Sequence, residues 1–188
     1  ARNEDAPAFA RAQALFEAAK ITRHQGLELL GTEVEPDWQV HGGNYEFGVT
    51  VTNRISLQVS NALAATTLEI QRALQHGVTP DRRWHYRYRA SALAWEAARL
   101  LPDNSDETAR VLCVGGTWIK YRDPGAADVF YKALVLRCRK TEIGSEADRI
   151  RWFPLLDAEG RLRPKSEQPL SPEERRARAR GQADSPGK

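Results

Sequence analysis

The spacing that most constrains this chain runs from Val111 to Ala133. Val111, Val114, Gly115 and Trp118 recur at helical intervals, and after a short break Ala126, Phe130 and Ala133 do the same. Glycine and alanine stand where two backbones would meet, while Trp118 and Phe130 would fill the gaps between them. The pattern predicts two short antiparallel helices folded against each other. Hairpins of this kind present surfaces for docking more readily than pockets for chemistry.

Composition sets the outer bounds. With 188 residues, 41% hydrophobic and 28% charged, the chain is long enough for one sizeable domain or two small ones and is too apolar for wholesale disorder. A net charge of +3 does not by itself imply a nucleic-acid or membrane partner. No apolar run approaches the roughly 20 residues that span a bilayer, so no transmembrane segment is expected. The chain begins at Ala1 and holds no methionine. It is therefore expected to be a processed product or a piece of a longer protein, with cytoplasmic and exported locations both open.

Along the chain, residues 5–25 read as a first helix, with Pro7 near its start and Gly26 at its end. Ala10, Ala14, Leu15, Ala18 and Ala19 give it a small-residue face. From Leu27 to Asn61 the period changes: Tyr45, Phe47, Val49 and Val51 alternate with other residues, as do Ile55, Leu57 and Val59. Preceded by the turn chemistry of His41-Gly42-Gly43-Asn44, these runs predict a small β-ribbon. Helical spacing returns at Asn61 and continues through Leu63, Thr67, Ile70 and Leu74 to His76-Gly77.

Thr79-Pro80-Asp81 opens a helix with Trp84, Tyr88, Ser91, Trp95 and Ala98 on one face, closed by Pro102. Ser105-Asp106-Glu107 opens the next, reaching about Arg122, and Asp123-Pro124 starts another that ends among Arg137, Arg139 and Lys140. Gly144-Ser145 then separates a short last helix reaching about Phe153. Beyond Pro154, prolines and glycines replace large apolar residues, which predicts an extended arm with one short helix from Ser171-Pro172-Glu173-Glu174 to Arg180. The expected divisions are 1–60, 61–153 and 154–188.

The run Val111-x2-Val114-Gly115-x2-Trp118 followed by Ala126-x3-Phe130 resembles a tetratricopeptide repeat, whose pattern is W-x2-L-G-x2-Y and then A-x3-F. Ala90, Ala97 and Pro102 resemble the second half of a preceding repeat, so the likeness covers about one and a half repeats over residues 83–141. Val111 and Val114 replace larger consensus residues, the turn is one residue short, and no proline follows Cys138. In that family, polar residues on the first helix of each repeat line a peptide-gripping groove. The matching positions here are Ala109, Leu112, Gly116 and Ile119, which offer no basic clamp. The resemblance thus implies a flat protein–protein contact and not capture of a peptide end.

Several groups invite chemical readings. Cys113 and Cys138 fall on opposite arms of the hairpin, and both read as apolar fillers of a helix interface in preference to a bridge. Neither they nor His24, His41, His76 and His85 have metal-ligand spacing, so no metal and no cofactor are expected. The stretch from Asp37 to Glu46 combines an acid, a histidine, two glycines and aromatics. Its plainer reading is a turn pinned by aromatic packing. The run Arg82–Arg89 mixes cations with aromatics as single-strand nucleic-acid sites do, but helical spacing sends Trp84 and Tyr88 inward and leaves Arg82, Arg89 and His85 outward. Arg175, Arg176, Arg178 and Arg180 follow two glutamates and read first as a solvated or partner-bound tail.

The expected fold is mainly α: tetratricopeptide-like antiparallel hairpins, a small β-ribbon near the N-terminal third, and an extended C-terminal arm. The resemblance implies a non-catalytic scaffold or adaptor that docks on protein, as a soluble subunit or fragment of a larger homo- or hetero-oligomeric assembly. On that reading Leu112 and Ile119 of the hairpin meet the partner, and Leu156, Leu162 and Leu170 of the arm drop into separate pockets on it. Two alternatives stay open. One is an enzyme or ligand-binding fragment using Asp37, His41 and Asn44. The other is an adaptor for nucleic acid or an anionic surface.

Overall fold

Side chains that satisfy the free N–H groups of a first turn set most of the helix starts. The computed structural model describes residues 5–30, 66–76 and 85–183. Seven α-helices occur among the described residues: α1 (Ala8–Leu30), α2 (Thr67–His76), α3 (His85–Arg99), α4 (Asp106–Thr117), α5 (Pro124–Arg137), α6 (Glu142–Ile150) and α7 (Pro172–Ala183). Ser105 accepts from the Thr108 N–H at α4, Asp123 from Ala126 at α5, and Thr141 from Gly144 at α6. At α2 and α7 the exchange is reciprocal. Thr66 N–H donates to Glu69 while Glu69 N–H donates back to Thr66, and Ser171 and Glu174 do the same.

By its contacts the chain divides into two units, one of Ala1–Glu17 with Ser91–Lys188 and the other of Ala18–Ala90. In the first, α4 and α5 run antiparallel, with Asn104 ahead of α4 donating to the Arg137 carbonyl at the end of α5. Their approach depends on missing side chains. A Cβ on Gly115 would lie 2.9 Å from both the Ala94 methyl and the Phe130 ring, and one on Gly116 would run into Phe153. The interior so closed holds Ala94, Ala97, Ala98, Leu112, Phe130, Leu134, Ile143, Ala147 and Phe153. Trp95 meets Phe130 edge-on at 5.1 Å, and Trp118 stacks with Phe16 at 6.2 Å. Ser91 ties α3 to α4 by donating to the Gly115 carbonyl at 3.0 Å. In the second unit, Tyr86 packs directly over Gly26.

The expected β-ribbon is not supported: the fold is mainly helical, and no strand or sheet occurs among the described residues. The strands it required fall in 31–65, outside those residues, while Leu27–Leu30, which opened that stretch, belong to α1. Gly26 does not end α1, because the close packing of Tyr86 gives a glycine there a use inside the helix.

The C-terminal arm has its expected short helix, seen as α7, but the stretch before it is not simply extended. An isolated antiparallel bridge joins Leu156 to Leu162, a 3-10 turn covers Lys165–Glu167, and α7 follows. Gln168 is only 6% exposed, and its amide takes the place of a neighbouring strand. The side-chain oxygen accepts from Leu155 N–H at 2.8 Å, and the amide nitrogen donates to the Leu155 and Arg163 carbonyls at 2.8 and 3.0 Å. Arg149 then holds the start of α7, binding Glu146 through two nitrogens and Glu174 through a third at 2.6 Å.

Helix faces differ from the expected ones as well. On α1 Ala12, Leu15, Ala19 and Gly26 are buried, while Ala10 and Ala14 are exposed. On α3 they are His85, Tyr86, Ala90, Ser91, Ala94, Ala97 and Ala98, whereas Tyr88 is half-buried and Trp84 lies outside the described residues. Alanines bring helices closer than aromatics do, so the small side of α3 faces the interior.

Candidate docking surfaces

The turn at Trp118–Arg122 and the Asp123 cap aim α5 so that one of its apolar seams is used and the other is left outside. Ala127, Phe130 and Leu134, spaced by three and four, are buried. Ala126, Val129, Ala133 and Leu136 repeat the same spacing one residue earlier. Of these, Val129 is 51% and Leu136 65% exposed, and the two alanines are half-buried. Lys132 borders this seam, paired with Asp128 at 2.6 Å. Ahead of it Tyr121 is 85% exposed, with the Lys120 ammonium 5.0 Å from its ring centre.

A second surface is electrostatic. From Glu173 to Arg180 every residue of α7 is exposed. Arg149, Arg151, Arg161 and Arg163 each hold a carboxylate, whereas Arg175, Arg176, Arg178 and Arg180 hold none among the described residues. Glu174 is the natural i,i+4 partner of Arg178, but its oxygen is taken by the Ser171 N–H at 2.7 Å and by Arg149. The Ser171 N–H and hydroxyl, and then Arg149, hold the Glu174 carboxyl below its ordinary value. A third surface is α2, whose Leu68, Ile70 and Leu74 are all exposed.

The residues expected to meet a partner are distributed differently. Leu112 and Ile119 are 0% and 2% exposed, and Ala109 and Gly116 beside them are buried too. These four positions form the interior of the hairpin unit and line no groove or outward face. Leu156 and Leu162 pair across their bridge and are half-buried, and Leu170 is 38% exposed. Asp37, His41 and Asn44 lie outside the described residues.

Cys113 and Cys138 are free and buried. Burial pushes the Cys113 thiol up to about 12 and raises that of Cys138, and Cys113 points its sulfur at the Pro154 carbonyl, 3.7 Å away. Both are inert fillers in this setting. Of the basic aromatic run, Arg89 is exposed, but His85 and Tyr86 are buried, so the run presents no continuous stacking platform there. No helix among the described residues is long and apolar enough to cross a membrane.

The sequence spacing Ala126, Phe130 and Ala133 mixes the two seams: Phe130 is buried with Ala127 and Leu134, while Ala126 and Ala133 are half-buried on the outer seam with Val129 and Leu136. No family model, curated protein or solved structure matches the chain.

Proposed function

We propose that the chain is a non-catalytic scaffold that docks on protein, with the α4–α5 hairpin acting as a tetratricopeptide-like unit of a larger helical assembly. The observation that carries this reading is the second apolar seam of α5. Its Ala126-Val129-Ala133-Leu136 spacing is that of a helix–helix seam, in which each apolar knob enters a hole on a facing helix. The seam is about 15 Å long at 1.5 Å per residue, the footprint of roughly three turns of a partner helix. Apolar side chains at this spacing favour an amphipathic helix over a peptide end, in keeping with the lack of a basic clamp on the hairpin.

The test is a pull-down from source lysate using the unaltered chain and a Val129→Glu/Leu136→Glu variant, each with and without nuclease. Both substituted side chains are exposed, so the variant is expected to keep its melting temperature. The scaffold reading expects defined proteins to co-purify with the unaltered chain, survive nuclease, and be lost with the variant. Co-purification that nuclease abolishes, or that the two substitutions leave untouched, sinks it.

A further inference from the structure

Four arginines share one short helix, and none of them pairs with a carboxylate among the described residues. At 100° per residue Arg175, Arg176, Arg178 and Arg180 fan over about 200° of α7, with Ala179 near the middle of the fan. Glu174 is drawn away by Arg149, and the ion pairs and reciprocal cap at Ser171–Glu174 anchor the first turn of α7. From Arg175 to Arg180 every residue is exposed, so this stretch of helix stands out as a cationic rod. Arginine presents a planar fork of donors that matches a carboxylate or a phosphate two bonds at a time.

We infer that α7 is a docking site for an acidic helical segment of a partner protein, with Arg175, Arg176, Arg178 and Arg180 each receiving a carboxylate. Three observations choose this occupant. The exposed part of α7 carries no aromatic residue on which a base could stack, the feature that single-strand sites rely on. Its only apolar side chains are alanines, too small to bury in a lipid interface. The chain's net charge of +3 gives little long-range attraction to a polyphosphate backbone, whereas spaced carboxylates on a helix one turn apart match the 176/180 and 175/178 pairs. The alanine between the arginines lets the partner backbone come close. This surface is separate from the α5 seam and names a second partner chemistry.

The experiment uses the full chain and a fluorescein-labelled helical peptide carrying glutamate at i, i+3, i+4 and i+7, followed by anisotropy at about 150 mM salt, where exposed charges more than about 8 Å apart are largely screened. Arg176→Glu/Arg180→Glu is expected to weaken binding about tenfold or more, and Arg175→Gln/Arg178→Gln to weaken it by a smaller factor. Arginine, glutamate and glutamine have similar helix propensities, so circular dichroism is expected to stay unchanged and to certify the fold. The Val129→Glu/Leu136→Glu variant is expected to bind the peptide as tightly as the unaltered chain, which separates this site from the scaffold seam. Peptide affinity untouched by the arginine substitutions overturns the assignment. So does an RNA or DNA duplex, or a phosphatidylserine vesicle, that displaces the peptide at equal charge concentration, since α7 would then be a phosphate-binding rod.

Discussion

Gly144 shows how a single residue is misread without its neighbours. Beside Ser145 it resembles a break between helices, yet it lies in the first turn of α6, where its N–H donates to the Thr141 hydroxyl at 3.0 Å. A methyl group there would run into the Cys138 carbonyl, a backbone atom with little freedom to move. Gly144→Ala is therefore expected to destabilise the chain by about 1–3 kcal/mol in urea unfolding. Gly125→Ala serves as the control: its added carbon would meet only the Asp123 carboxylate, at 3.6 Å, and the lower backbone entropy of the unfolded chain is expected to raise stability by about 0.5 kcal/mol. Equal effects from the two substitutions would refute the close approach at Gly144. The glycine was plain in the sequence, but the carbonyl that demands it belongs to a different turn. Arg151 ends α6 in the left-handed conformation at φ 60°, a place where sequence favours glycine and gave no warning of an arginine.

Between elements, the same limit applies to α3 and α5. The starts of α4, α5 and α7 were readable because Ser105, Asp123 and Ser171 act on N–H groups only a few residues away. The end of α3 was readable only as a stop before Pro102, without the partners of its carbonyls. Its last carbonyls are satisfied from the far end of α5, where Arg137 donates to Ala98 at 3.0 Å and to Leu101 at 2.9 Å while its Nε meets Asp103 at 2.6 Å. In the sequence Arg137 looked like a cation placed to suit its own helix terminus, and the two roles coexist. Hydrogen bonds involving a charged group contribute about 1.5–3 kcal/mol, but the partial exposure of this pair puts the whole effect near the lower figure. Arg137→Lys is expected to lose most of it, because an ammonium cannot hold both carbonyls and the carboxylate in one planar fork. Thermal unfolding of Arg137→Lys and Arg137→Ala should therefore give similar losses. A lysine variant as stable as the unaltered chain would mean that charge alone, not the fork, closes α3 onto α5.

At the scale of the whole molecule, the question is whether residues after Pro154 belong to the folded unit or only accompany it. Their composition argues for the second, since few large apolar groups remain to offset the entropy of ordering. The structure shows a different route to order, through polar satisfaction in place of apolar area. Gln168 makes three hydrogen bonds to backbone groups of Leu155 and Arg163, and Arg149 binds Glu174. Phe153, 1% exposed, lies against Trp152 at 5.0 Å and Tyr131 at 6.2 Å, immediately before the segment begins. A lone glutamine in a proline-spaced stretch carries no periodic signal, which is why this closure escaped the sequence. Truncation after Pro154 would remove Leu155, Arg163 and Gln168 together and leave Arg149 with Glu146 alone. The half-buried Leu156 and Leu162, and the buried Ser171, would go with them. The expected result is a lower melting temperature for the remaining unit, by about 5 °C or more, since about 1 kcal/mol corresponds to roughly 4–8 °C in a domain of 60–100 residues. Gln168→Ala in the full chain tests the closure within the segment, taking the Gln168 partner from the Leu155 N–H and the Arg163 carbonyl at a cost of about 1–3 kcal/mol, while the Leu155 carbonyl keeps the Arg163 N–H at 3.0 Å. If truncation leaves the melting temperature unchanged while Gln168→Ala is also neutral, the segment is a passenger on the fold, and the anchoring that holds α7 outward fails with it.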